Sequence, residues 1–240
     1  MTSLFISDLH LEADRPDIAD QFLRFLETEA LNADALYILG DLFEVWVGDD
    51  DPNEHYAWIK QGLRKLTRKD VPVFFMHGNR DFMIGEEFAR ETGIEILADP
   101  HVIDIHGERV LLSHGDAYCT DDIEYQAVRT MTRDPQWQAM MVVKPLEERL
   151  AFAEQARAAS LAHGEKLSET IVDVNDMAIE SAFRDASVNL MLHGHTHRPN
   201  VHQLEIDGKP AQRIVLGDWY DHGSVVRWDE NGPVLSEMER

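Results

Sequence analysis

The sequence predicts an α/β fold, a sandwich built on a largely parallel sheet and interrupted by a helical insertion. Three observations predict it. Short apolar runs alternate with amphipathic segments through the first hundred residues, helical periodicity alone runs from about 121 to 187, and short apolar runs then return as far as 228. The chain has 240 residues, 44% of them hydrophobic. That is room for one large domain or a domain carrying an insertion, at ~100–200 residues per domain.

Taken in order, "SLFIS" (3–7) reads as a strand and 17–31 as a helix, with Phe22, Leu23, Phe25 and Leu26 at helical spacing. "ALYIL" (35–39) is a second strand, 54–68 a helix and "VPVFFM" (71–76) a third strand. This βαβαβ rhythm implies right-handed crossovers between parallel strands. Shorter β-rich segments follow at 94–97, 101–106 and 109–113. Within 121–187, "IEYQAVRTM", "LEERLAFAEQARAASLAHGEKL" and "DVNDMAIESAFRDA" space their apolar residues by three and four. "VNLML" (188–192), "VHQLEI" (201–206), "AQRIVLG" (211–217) and "GSVVRW" (223–228) are strands, with an Asp-Gly hairpin turn inside "IDGKP".

Composition narrows the partners. Twenty-two Lys and Arg against 45 Asp and Glu leave a net charge of −23. Nucleic-acid binding runs on Lys and Arg neutralising phosphates, so that class is excluded, and nothing points to a protein partner. Cys119 is the one cysteine, which rules out an intrachain disulfide and a thiolate zinc cluster. "MTSLFISDLHL" has neither the basic start nor the small-residue cleavage site of a secretory signal. No apolar run approaches the ~18 residues of a membrane span, and the expected location is cytoplasmic.

Five motifs follow strand candidates: Asp8-Leu9-His10, Gly40-Asp41, Gly78-Asn79-Arg80-Asp81, His114-Gly115-Asp116 and Gly194-His195-Thr196-His197. Ligands of open parallel sheets bind outside the carboxyl ends of the strands, so five such loops can converge on one point. Carboxylate, amide and imidazole donors together suit divalent ions such as Mn2+, Fe2+ or Zn2+. Each motif alone is weak, because Asp after a strand is commonly a cap or turn former. Alternating side chains on an extended His-x-His segment face the same way. The ordered set leaves the purely structural reading little room.

That set resembles the calcineurin-like metallophosphoesterases, whose pattern is D-x-H, G-D, G-N-H/R-D/E, an H and G-H-x-H. Within that family the chain is most similar to the bacterial UDP-2,3-diacylglucosamine pyrophosphohydrolases of lipid A synthesis. "LFISDLHL", "ADALYILGDLFE", "VGDDDP", "HGNRDF", "HGDAYCTDD", "HGHTHRP" and "RIVLGDW" carry the likeness over nearly the whole chain. The resemblance implies one αββα sandwich domain over residues 1–240, with a helical lid at about 121–165. It implies two divalent metal ions, Mn2+ foremost. Asp8, His10 and His197 would hold one, Asn79, His114 and His195 the other, and Asp41 would bridge them. The ions would also place positive charge in an otherwise acidic protein, where two metals clamp the oxygens of an in-line displacement. The implied reaction is attack of water on the uridine-side phosphorus of UDP-2,3-diacylglucosamine, giving UMP and 2,3-diacylglucosamine 1-phosphate. Asp41, Asn79, Arg80 and His195 would be catalytic, and Asn79, Arg80, Asp122, Ser160 and His195 would touch this lipid-linked sugar nucleotide.

Arg80 bears on the leaving group. Many members of the superfamily carry His at this place, thought to protonate a departing alkoxide, whereas Arg stays charged and donates no proton near pH 7. A phosphate, whose second pKa is about 6, leaves readily as its anion. Arg80 therefore favours pyrophosphate over phosphomonoester cleavage, its fork gripping phosphate oxygens.

The lid departs from the family. Members make it apolar and basic, suited to a lipid at an anionic membrane surface. Here 121–165 carries eight acidic and five basic residues, a net of −3. The polar residue and the Lys usual at 164 and 167 are Gly164 and Leu167, and Lys166 would face elsewhere on a helix. Two readings stay open. Leu146, Leu150, Phe152, Leu161 and Leu167 bind acyl chains with weak peripheral contact at the inner membrane, or the chain acts on a soluble nucleotide pyrophosphate or phosphoester. Ordinary packing onto the core also explains that apolar stripe. His77 and His193 read as packing residues, and His163 as a surface one. Trp46 and Tyr125 are placed in either the substrate groove or the core.

Overall fold

The computed structural model describes residues 2–164, 171 and 173–239. Among them, eleven strands form two sheets. The first runs β11-β10-β1-β2-β3-β4, where β1 is Ser3–Ile6, β2 Ala35–Leu39, β3 Val73–Met76, β4 Glu95–Leu97, β10 Gly223–Asp229 and β11 Gly232–Met238. β1 to β4 are parallel, and β10 and β11 add antiparallel. The second sheet runs β5-β6-β7-β9-β8, where β5 is His101–Ile105, β6 Glu108–Ser113, β7 Leu190–His193, β8 Asn200–Ile206 and β9 Lys209–Val215. β6, β7 and β9 are parallel between antiparallel edges β5 and β8.

Period-two burial sets the layers. Leu4, Ile6, Leu36 and Ile38 face a cluster with Phe22, Phe25, Ile59, Leu63 and Phe88. Those residues come from α1 (Pro16–Thr28), α2 (Glu54–Thr67) and α3 (Glu86–Thr92). Phe5, Leu39 and Met76 point the other way, onto Val110, Leu112, Leu192 and Ile214 of the second sheet. Leu111 and Met191 turn outward to Ile179 and Phe183 of α7 (Asp176–Ala186). Helix, sheet, sheet and helix stack in that order, the αββα arrangement the sequence leads one to expect.

The helices begin where local chemistry permits. Pro16 opens α1, where a missing N–H costs nothing. Asn53 caps α2 by accepting from His55 N, and Asn175 caps α7 by accepting from Ala178 N. Asp207 and Gly208, both at positive φ, close the β8–β9 hairpin as an Asp-Gly turn should.

Some expectations are corrected. The helix over 17–31 stops at Thr28, and a separate 3-10 turn covers Ala30–Asn32. The third strand starts at Val73 rather than 71, and the strand over 188–192 runs instead from Leu190 to His193. α3 and β11 were not foreseen. α3 has seven residues and buries only Phe88 and Thr92, too little for a periodicity, and β11 begins Gly-Pro and is half exposed.

Between β6 and α7 lie α4 (Ile123–Thr132), α5 (Pro135–Val142) and α6 (Leu146–Gly164). Asp122 and Asp134 cap the first two. None of the three hydrophobic clusters takes a residue from these helices among the described residues. Met141 is the one buried hydrophobic of these helices among the described side chains, so core packing accounts for little of the apolar stripe. Leu150 is exposed, as are Ile123, Val128, Met140 and Val143, and Phe152 packs on Trp137 within the segment. Leu167 and the Leu161 side chain lie outside the described residues, as does Lys166.

Cations hold this segment down instead. Arg149, 2% exposed, donates to Val47 O at 2.6 Å, to Lys144 O at 3.1 Å and to both Asp50 oxygens at 2.7 and 2.5 Å. Arg129 and Arg133 reach Asp116, Arg157 reaches Glu44 and Glu12, and Lys144 pairs with Glu148. All five basic residues of the span are thus engaged. Replacing Arg149 by Met is expected to lower stability by about 2–3 kcal/mol, because Val47 O and Lys144 O lose their charged donor. Urea unfolding and faster trypsin cleavage within α4–α6 are the measurements. No helix among the described residues is long and apolar enough to cross a membrane.

Candidate metal centre

Each of the five motifs directly follows the carboxyl end of a parallel strand: β1, β2 and β3 in one sheet, β6 and β7 in the other. The loops then bind one another. Asp8 N donates to Gly40 O, His10 N to Asp41 O, Leu11 N to Leu42 O and Gly194 N to His114 O, all at 2.8–3.1 Å. Asp81 is fully buried and staples two of them, accepting from Leu42 N at 2.7 Å and Gly78 N at 2.8 Å. Burial and the neighbouring Asp41 push its carboxyl up to about 7.

Two groups of donors result. Asp8, His10 and His197 form one, and Asp41, His114 and His195 the other, with the ligand atoms of each group within 4.8 Å of one another. Asp41 Oδ2 lies 3.8 Å from His10 Nε2 and 3.7 Å from His114 Nε2, so one carboxylate oxygen reaches both groups. Its other oxygen accepts from Arg80 N at 2.8 Å. Asn79 Oδ1 sits 3.0 Å from His114 Nε2 and 2.8 Å from His195 Nδ1, within the second group. Every metal-ligand candidate of the sequence is thus at one place.

The donors fit divalent ions. His10 Nδ1 lies 2.7 Å from the buried Glu44 carboxylate and His197 Nδ1 3.3 Å from Asp218, which turns both Nε2 atoms inward. Those two Nε2 atoms approach to 3.1 Å beside Asp8 Oδ1, where a divalent ion would take the place of the proton His197 otherwise carries. The field is strong. Burial raises the Asp8 carboxyl, but His197 above all, with His114 and His10, holds it well below the usual range. Burial works against a charged His114, yet Asp41, Asp116 and Asp8 push it up to about 9. His197, between Asp218 and Asp8, is likewise pushed up to about 10 against its burial. Burial and then His114 push His195 down to about 4.

The backbone corrects one expectation. Asp8, His10, Asp41, His195 and His197 all have positive φ, between 51° and 69°, so neither Asp-x-His nor His-x-His is extended. His195 and His197 indeed join different groups, but left-handed turns take them there. A Cβ at Gly78 would strike Asp41 Oδ1, and one at Gly194 would strike Asp8 Oδ2. Only glycine lets these loops approach so closely.

Arg80 is partly exposed, with Nη1 4.0 Å from Glu44 Oε1 and a buried Nε that has no hydrogen-bond partner. Asp122 is buried, caps α4 through Tyr125 N, and bonds His163 Nε2 at 2.9 Å, so His163 is not a plain surface residue. Ser160 is exposed on α6. His193 is buried, with Nδ1 on Gly194 O and Nε2 accepting from Arg213; burial and Arg213 push it down to about 3. His77 packs under the loop with Nε2 on Ile84 O. Trp46 belongs to the core, whereas the Tyr125 ring lies 5.7 Å from His195 and its hydroxyl donates to Asp116. Cys119 packs in the third cluster, where burial pushes its thiol up to about 12.

Sequence reasoning missed Glu44 and Asp218. Glu44 follows Asp41 by three in "GDLFE" and Asp218 stands in "RIVLGDW", both stretches noted for resemblance but not for chemistry. A surface depression of about 570 Å3 around Trp58, Lys60 and Arg64 shares no wall with the two groups.

Comparison with known proteins places this geometry in context. Residues 1–199 match the family model for calcineurin-like phosphoesterases. The chain is 50% identical over 247 residues to a protein of Stenotrophomonas maltophilia (strain K279a) named UDP-2,3-diacylglucosamine hydrolase, covering 100% of both. It is 50% identical over 245 residues to one of the same name from Xanthomonas axonopodis pv. citri (strain 306), covering 99% of each. A solved structure described as a novel archaeal phosphodiesterase aligns over 99% of both chains at 13% identity and a TM-score of 0.49.

Proposed function

The chain belongs to the calcineurin-like phosphoesterases, and on that premise we propose that it hydrolyses the pyrophosphate bond of UDP-2,3-diacylglucosamine to UMP and 2,3-diacylglucosamine 1-phosphate in lipid A synthesis. The observation that carries the reading is the single Asp41 oxygen facing both donor groups, with Arg80 held beside it. Asp8, His10 and His197 would hold one divalent ion and Asn79, His114 and His195 the second, with Asp41 placed to serve both. Such ions supply Lewis acidity, positive charge for phosphate oxygens and a lowered pKa for water, and Mn2+ is our assignment for both.

The chain's own groups do the rest. Glu44 and Asp218 fix the tautomers of His10 and His197. Arg80, with a buried and unpartnered Nε, offers its guanidinium to phosphate oxygens as charge builds in the transition state. It transfers no proton, and a phosphate leaving group needs none. Asn79, His195, Asp122 and Ser160 contact substrate, with Tyr125 over His195 closing the site. α4–α6 form the lid of this single domain. Ile123, Val128, Met140 and Val143 offer acyl chains and the inner membrane an apolar surface. The five basic residues of the span are occupied within the protein, which supports weak peripheral contact by a cytoplasmic enzyme.

The soluble-substrate reading keeps one supporting observation, the net charge of −3 over 121–165. An assay in Mn2+ comparing UDP-2,3-diacylglucosamine, p-nitrophenyl phosphate and a bis-nucleoside polyphosphate separates the two. UMP released from the lipid alone supports the first reading, and comparable turnover of the soluble compounds overturns it. A second expectation concerns Glu44. Glu44→Gln should weaken Mn2+ binding about 10–100-fold, read by titrating Mn2+ into chelated protein. Unchanged affinity would dismiss its role in orienting His10.

A further inference from the structure

A second polar recess, reached from the donor groups through the chain neighbour Thr196, takes no part in the roles above. It measures about 250 Å3, and Thr196, Arg198, Pro199, Asn200, His202 and Arg213 supply most of its wall. Thr196, on its wall, stands in the chain between His195 and His197, one residue from each donor group.

Its donors are waiting for a partner. Arg213 is 8% exposed, and its side chain makes one hydrogen bond among the described residues, Nη1 to His193 Nε2 at 3.0 Å. Among the described residues no carboxylate comes within ion-pair distance of it, although Asp173 and Asp176 lie near enough to favour its charge. A guanidinium so buried ordinarily has its donors matched. Thr196 Oγ1 is buried with no hydrogen-bond partner. Asn200 uses its Oδ1 on Val201 N at 2.8 Å, which leaves its amide N–H groups for a ligand. Asp173, also on the wall, contributes a carboxylate already shared between Val174 N and Arg198.

We propose that this recess receives the uracil ring of the nucleotide whose phosphorus lies at the donor groups, an inference that rests on the substrate reading above. A pyrophosphate substrate has two ends. α4–α6 reach the site through Tyr125 on His195 and Arg157 on Glu44, which assigns that side to the acylated sugar. The β8–β9 side then takes the nucleoside. The volume suits one ring with part of a ribose and is too small for an acyl glucosamine. Uracil presents a carbonyl, an N–H and a second carbonyl along one edge. Arg213 and Asn200 donate to the carbonyls, and Thr196 Oγ1 or Asp173 accepts from the N–H. Pro199 and Val215 give the ring face apolar contact. A bare phosphate is served less well, because Asp173 opposes it and burial together with Arg213 keeps the His202 pKa low.

Cytosine decides the matter, since it reverses two of the three groups on that edge. Calorimetric titration of the Mn2+-loaded protein with UMP, CMP and inorganic phosphate is expected to show UMP binding at least about tenfold tighter than CMP. Asn200→Ala and Arg213→Gln, which remove the two proposed carbonyl donors, should each weaken UMP about 3–10-fold. Matching thermal melts establish that the variants fold. Equal affinity for UMP and CMP, or UMP affinity untouched in both variants, overturns the proposal. Release of UMP from the diacylated substrate is scored separately. Turnover without uracil selectivity overturns the recess alone, and selectivity without turnover overturns the substrate reading while supporting the recess.

Discussion

Asp41→Ala is expected to abolish turnover, by about 10^3-fold or more, and to empty the protein of metal in the same step. The size follows from what the ions do: lowering the pKa of water and screening phosphate oxygens are together worth several kcal/mol, and each 1.36 kcal/mol is a factor of ten. Asp41 is singular because one of its oxygens lies within 4 Å of a histidine from each donor group while the other is anchored by Arg80 N. Losing it disconnects the groups, whereas losing His197 depletes only one. Metal analysis after dialysis, paired with the lipid assay, is the measurement. An Asp41→Ala protein that retains activity would end the two-metal account.

Arg80→Ala is expected to act differently. Turnover of UDP-2,3-diacylglucosamine should fall about 10^2–10^3-fold, the range seen when one preorganised donor to a developing anion is removed. Metal content should stay as it was, because the group that holds Asp41 is the Arg80 backbone N–H, which the substitution keeps. Lysine in its place should recover only part of the loss, having charge but no planar fork. Parallel loss of metal would mean that the side chain's role is structural.

Asp41 and Arg80 both stand in motifs that could be read along the chain, whereas other residues of the site could not. The grouped donors were legible because each follows a strand and carries ionisable or amide chemistry within two or three positions. The parallel core was legible for the same reason, since β1, β2 and β3 are short apolar runs separated by amphipathic helices. Glu44 and Asp218 were not, because their meaning lies in an approach to His10 and His197 from a different loop. Arg149 looked like one more charge on a helical segment, yet it is buried and ties α6 to the loop after β2. The β10–β11 hairpin does leave a mark, Asn231-Gly232 with Gly232 at positive φ, but the Pro after it and the half-exposed residues of β11 disguise the second strand. Asp122 was expected at the substrate, and its local work as a helix cap could have been anticipated from its place ahead of "IEYQAVRTM".

The left-handed conformation of five site residues restricts which replacements this centre can accept. Asp, Asn and His tolerate that region better than other side chains with a Cβ, so ligand chemistry and backbone shape select the same residue types. A carboxylate is then not exchangeable for a carboxylate. Glutamate at position 8 or 41 would carry the right charge on a longer arm and a less tolerant backbone, and loops bound to one another by main-chain hydrogen bonds cannot retreat to make room. At Asp8, His10, Asp41, His195 and His197 the centre is therefore fixed twice over, once by donor chemistry and once by backbone shape.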